Sequence, residues 1–191
     1  MNITSKLRTK LGMPKENPLL GFGGERRFDK LTLVWFGIAL VIGYLSNYVG
    51  VSSQLVAFSL FIGNYIPAVM KYAAGAKATD AILMVYLYCF ISWPIFLYIS
   101  IRYVGIGYTR KRVLEINTIV KILVIFVSGI YMAFVGLEVG GENSITLLSR
   151  LYYHKLFFSV FVVNGSFLLF TCAIFYLYHH LKAVAEKKGG N

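Results

Sequence analysis

The chain has 191 residues, 58% hydrophobic and only 14% charged, with a net charge of +11 and a mean hydropathy of +0.68. Soluble domains are about half apolar and about a quarter charged. A chain this short has no interior large enough to hide the excess, so a soluble domain is excluded and one polytopic, all-α membrane domain is implied.

Residues 1–30 form a basic arm with seven Lys or Arg and three acidic residues. Pro14, Pro18 and the glycines of the FGGE stretch argue against one continuous helix there. The arm is unlike a cleavable signal, which is short and leads quickly into a brief apolar run. A few lysines would suffice to orient the protein. An arm of this length therefore points to a cytosolic protein partner, with Arg26 and Arg27 as contact residues. Anionic lipid is a second partner for such charge.

Leu31–Met70 follows, forty residues without a charge. One helix crosses a bilayer in roughly twenty residues. The stretch therefore holds either two short spans or one span plus an element that does not cross. Charge bias decides. If residues 54–70 stay on one side, four spans result, with fifteen Lys and Arg on the inner face and four on the outer. If they cross, the split is eleven to eight. The first arrangement is favoured, with both termini cytoplasmic and a transmembrane domain over 31–181. Its outer segment is 49–79, its cytoplasmic loop 105–117 and its outer loop 138–155. A cytoplasmic tail covers 182–191.

The outer segment is apolar yet outward-facing, so it must be covered by lipid, by the bundle or by another subunit. Gly63-Asn64 and Pro67 are predicted to break any helix near its middle. Phe58, Phe61, Asn64, Pro67 and Lys71 are assigned to membrane sensing, with Lys71 and Lys77 placed to meet lipid phosphates.

The second span is expected over about 81–104, with Pro94 inside it. The loop after it carries Arg110, Lys111 and Arg112, assigned to partner binding on the same inner face as the arm. The third span is expected over about 118–137. The outer loop is expected to hold a partial helix around 145–153, and the fourth span covers about 156–181.

The span interiors hold no Asp or Glu, which counts against a proton-coupled pathway inside one copy. Asn164-Gly165-Ser166 is the densest polar cluster, with Asn164 expected to bond a neighbouring helix. Ala39/Gly43, Gly129/Ala133 and Gly136/Gly140 have spacings that permit close helix approach. Tyr98, Tyr103, Tyr108, Tyr152, Tyr153, Tyr176 and Tyr178 are read as an interfacial belt. Cys89 and Cys172 are read as packing residues. HExxH, P-loop, GxSxG and CxxC motifs are all lacking, so the reading is of no enzyme, no metal and no cofactor. Basic charge by itself is weak grounds for nucleic-acid binding, and none is expected.

The layout of basic arm 1–30, span from Leu31, outer segment 49–79, basic loop 102–121 and basic tail 182–188 resembles the membrane subunit of the Kiwa antiphage defence system. That resemblance implies a small bacterial inner-membrane protein that forms a homo-oligomer, senses phage contact at the envelope and holds a cytosolic effector. The function expected is thus a sensor and scaffold. Two alternatives are an immunity protein against a pore-forming bacteriocin, whose arm would be dispensable, and a channel or transporter subunit sensitive to Asn164 and Ser166.

Overall fold

A computed structural model describes residues 23–103, 116–138 and 146–188. Within them the chain is helical, with no strand. The helices are α1 (Gly23–Val49), α2 (Ser53–Gly63), α3 (Pro67–Ala74), α4 (Thr79–Tyr103), α5 (Ile116–Ile130), α6 (Leu147–His154) and α7 (Leu156–Lys188). A π-turn, Tyr131–Val135, extends α5.

Three stretches are long and apolar enough to cross a membrane: Lys30–Val49, Thr79–Arg102 and Leu156–Lys182. The third span expected from sequence is shorter than its three companions. Its apolar part is Ile119–Val135, which at about 1.5 Å per residue reaches about 25 Å. A hydrocarbon core is about 30 Å thick. Among the described residues the fold is thus all-helical, with three helices long and apolar enough to cross a membrane, as in a multi-pass membrane protein, and two shorter apolar ones, 53–63 and 119–135.

α7 lies at the centre, packed on α1, α4, α5 and α6, while α4 also packs on α1, α2 and α3. α5 runs antiparallel to α7, because Phe126 meets Phe170 at 5.9 Å while Phe134 approaches Phe167 at 6.2 Å. Gly129 makes this seam possible. A Cβ there would sit 2.6 Å from the Phe170 backbone nitrogen, so any side chain would force the helices apart. Ala39 and Ala133 are fully buried. The first two small-residue spacings thus serve packing within one copy, while Gly140 lies outside the described residues.

At the end where α1 begins, Trp35 stacks on Phe96 at 4.6 Å and its indole donates to Ser92 Oγ at 2.7 Å. Phe28 stacks on Phe175 at 5.0 Å. The opposite end is closed by α3, α6 and the π-turn, and is called the capped end below.

The outer segment breaks where glycine, asparagine and proline predict. α2 stops at Gly63, with Asn64 as its C-cap, and α3 starts at Pro67, where the missing N–H costs nothing. Ser52 caps the start of α2 by accepting from the Leu55 amide. The α6 helix likewise falls where the outer loop was expected to contain one, capped by Thr146.

The most informative burial is in α4. Seven consecutive residues, Ala81 to Leu87, are all buried. A helix on a bundle's rim shows one buried stripe; about two turns buried all round means neighbours on every side. α1 and α7 cover part of this surface, and α2 and α3 cover the rest. The helix pair therefore lies beside the first ~10 Å of α4 rather than above it.

Candidate functional site

The site is the junction of α3, the π-turn and α7 at the capped end. In a π-turn the chain bonds from i to i+5, and here the Gly136 amide donates to the Tyr131 carbonyl at 2.8 Å. The carbonyls of Met132 and Ala133 then take partners from elsewhere in the chain. Tyr72 on α3 donates its hydroxyl to Met132 O at 2.7 Å, and Tyr86 on α4 donates to Ala133 O. A carbonyl without a partner in this apolar setting would cost about 1–3 kcal/mol, which is the physical reason for two tyrosines at this point.

A second layer holds Tyr72. Its hydroxyl lies 3.0 Å from Ser166 Oγ on α7, and that serine is 2.8 Å from its own acceptor, Val162 O. Two hydroxyl protons therefore serve three contacts. Tyr152 on α6 donates to the Tyr72 backbone carbonyl at 2.8 Å, and Ser159 donates to Tyr152 O. Tyr72, Tyr152 and Ser166 are fully buried and Tyr86 nearly so. Burial pushes the Tyr72 and Tyr152 phenols above their ordinary value, so both are neutral donors at any physiological pH.

Gly136 completes the junction. It has φ +79°, a conformation favoured by glycine, and a Cβ on it would lie 2.6 Å from Ala68 Cα. The end of α5 and the start of α3 thus meet backbone to backbone.

The assigned sensing residues divide between surface and junction. Phe58 and Phe61 project from α2 and are exposed, Phe61 packing edge-on to Tyr65 at 5.3 Å. Asn64 and Pro67 form the break. Lys71, on α3, approaches Glu138 at 3.9 Å, with Glu138 itself 89% exposed. Such a pair is worth little by itself. Arg26 and Arg27 fall in the first turns of α1, so that helix starts ahead of the expected span. Arg110, Lys111 and Arg112 lie outside the described residues.

Tyr152 departs from the belt assigned to it: it is fully buried and points into the junction. Tyr98 and Tyr178 are exposed as a belt requires. Tyr72 and Tyr86 were missed. The signal available was modest: Tyr86 lies inside an apolar run, and a buried phenol needs an acceptor. Asn164 donates to Cys89 Sγ on α4 at 3.6 Å, a contact between helices of one copy. Among the described residues no three His, Cys, Asp or Glu gather as metal ligands.

The class these features define is a multi-pass helical membrane protein with a helix–break–helix insertion at one end of its bundle. No family model, curated protein or solved structure matches the chain.

Proposed function

We propose that this protein is a non-enzymatic membrane sensor and scaffold, of the kind implied by its resemblance to the Kiwa membrane subunit. It sits in a bacterial inner membrane with four spans, the short α5 included, and with both termini cytoplasmic. α2 and α3 form a re-entrant element in the outer leaflet. A disturbance of that leaflet moves α2, and α3 carries the movement to the junction. The basic inner face, with its arm, loop and tail, holds a cytosolic effector. The protein assembles as a homo-oligomer, and its outer-face lysines meet anionic headgroups.

One observation carries this reading. α2 is eleven residues long, about 16 Å, so it cannot cross a bilayer. Yet it exposes Leu55, Phe58, Leu60 and Phe61, a patch that water does not tolerate. It is joined through a three-residue break to a helix locked in the core. An apolar probe tied to a buried lever suits detection better than transport or catalysis.

The arm provides the test. Deleting residues 1–22 together with Arg26→Gln and Arg27→Gln keeps the α1 backbone, so insertion should persist while a soluble partner no longer co-purifies in stoichiometric amount. Retention of the partner after this deletion removes the arm from the proposal.

A pore between copies is the second reading, and it too has an observation behind it: Lys121 and Ser128 face outward from α5. It predicts conductance in liposomes made with the purified protein. Asn164 and Ser166 are buried within one copy, which argues against a place for them on a pathway between copies.

A further inference from the structure

The end of α5 has two ways to satisfy the same two carbonyls. In a regular α-helix Met132 O would accept from the Gly136 amide and Ala133 O from the Leu137 amide. In the structure Gly136 bonds Tyr131 instead, and the two carbonyls take the hydroxyls of Tyr72 and Tyr86. The tyrosine hydroxyls therefore compete with the α-register for its own acceptors.

We infer that Tyr72 and Tyr86 form a latch that holds residues 131–136 in the π-register, and that withdrawal of α3 lets this segment rewind into regular α-helix. Three independent features support a switch rather than a fixed irregularity. The first is the competition for acceptors just described. The second is Gly136, whose φ of +79° ends the helix in the latched state and whose freedom also permits the helical φ needed after rewinding. The third is the surplus contact at Tyr72, where two hydroxyl protons serve three neighbours. If Tyr72 leaves, Ser166 keeps its bond to Val162 O, and Met132 O regains a backbone donor. In the released state both carbonyls and Ser166 keep partners, so the cost falls on the hydroxyls of Tyr72, Tyr86 and Tyr152, which give up their acceptors. Rewinding also moves Leu137 and Glu138 away from α3, breaking the contact between Glu138 and Lys71. The use of the latch as a relay rests on the sensor reading above, but the latch itself is defined without any stimulus.

Amide hydrogen exchange on the full chain in lipid nanodiscs tests it, read for the peptide spanning 131–138 and for peptides from α4 and α7. Tyr72→Phe and Tyr86→Phe keep the ring and remove the hydroxyl. Each should slow exchange in 131–138 roughly fivefold or more, because rewinding gives the Leu137 amide the Ala133 carbonyl as acceptor, with α7 peptides unchanged. A cysteine pair, Lys71→Cys with Glu138→Cys, adds a distance readout in the folded protein. A short bifunctional thiol cross-linker should bridge the pair readily in the parent, whose Lys71 and Glu138 side chains meet at their tips, and slowly when Tyr72→Phe is added. Exchange that stays at the parent rate in 131–138, or rises there or throughout the molecule, overturns the latch. So does a cysteine pair whose cross-linking is indifferent to Tyr72→Phe. None of these outcomes depends on whether the protein senses anything.

Discussion

α2 and α3 are neighbours in the outer segment, α2 the more apolar of the two and α3 carrying Lys71. Their fates differ. α2 buries only Ser59 and Gly63 and turns its large side chains outward. α3 buries Ala68, Val69, Tyr72 and Ala73 against α4 and the π-turn. Residue size separates them. α3 has alanines where backbones must close to contact and one long phenol that reaches a distant carbonyl. α2 turns its leucines and phenylalanines outward and buries only two small residues, Ser59 and Gly63, the latter against Val69 and Met70 of α3. Within a membrane domain, apolarity marks what avoids water, and size marks what meets protein rather than lipid.

The comparison breaks most readily on the α3 side. Gly136→Val adds branched bulk 2.6 Å from the Ala68 backbone and strains a positive φ, so the loss should reach about 3 kcal/mol or more. It should appear as a large fall in thermal unfolding midpoint in detergent. Tyr72→Phe comes next. It removes one buried hydrogen bond while the Met132 carbonyl regains a backbone donor on rewinding, so the loss should be about 0.5–1.5 kcal/mol, measured on the same scale, together with the exchange changes described above.

Alkaline pH gives a smaller, titratable effect. Burial raises the folded pKa of Tyr72 and Tyr152, while unfolded phenols ionise near 10. The stability contributed by keeping them neutral is complete below about pH 10 and is lost as pH rises toward the folded values. The unfolding midpoint should fall above about pH 10, and less steeply in the double variant Tyr72→Phe with Tyr152→Phe. Smallest of all is the change on α2. Phe58→Ser with Phe61→Ser should shift the midpoint in detergent by no more than about 0.5 kcal/mol, since both side chains are exposed. A loss as large as that of Tyr72→Phe would erase the distinction between the two helices.

Much of this architecture was legible in the sequence for local reasons. Gly63, Asn64 and Pro67 announce the break between α2 and α3 because their backbone preferences act within a few residues. Thr146 and the apolar turn after it announce α6. The junction was not legible, because its bonds join residues far apart. Tyr72 meets Met132 across 60 positions and Ser166 across 94. The π-turn exists only because those hydroxyls arrive from other helices. Tyr152 was misread as a belt residue because an amphipathic short helix beside an expected membrane boundary looks the same whether its tyrosine faces lipid or protein. Glycine at 129 and 136 was visible as small-residue spacing, but its partners, Phe170 and Ala68, were not.

The central claim is that α2 lies in lipid while α3 lies in protein. It is tested most directly by a single cysteine at Phe61, with Cys89 and Cys172 replaced by alanine, labelled with a small fluorophore in proteoliposomes. Quenchers carried on lipid acyl chains should extinguish this label strongly, and aqueous iodide should barely touch it. Strong iodide quenching with little effect from the acyl-chain quenchers would place α2 in water and contradict the re-entrant element.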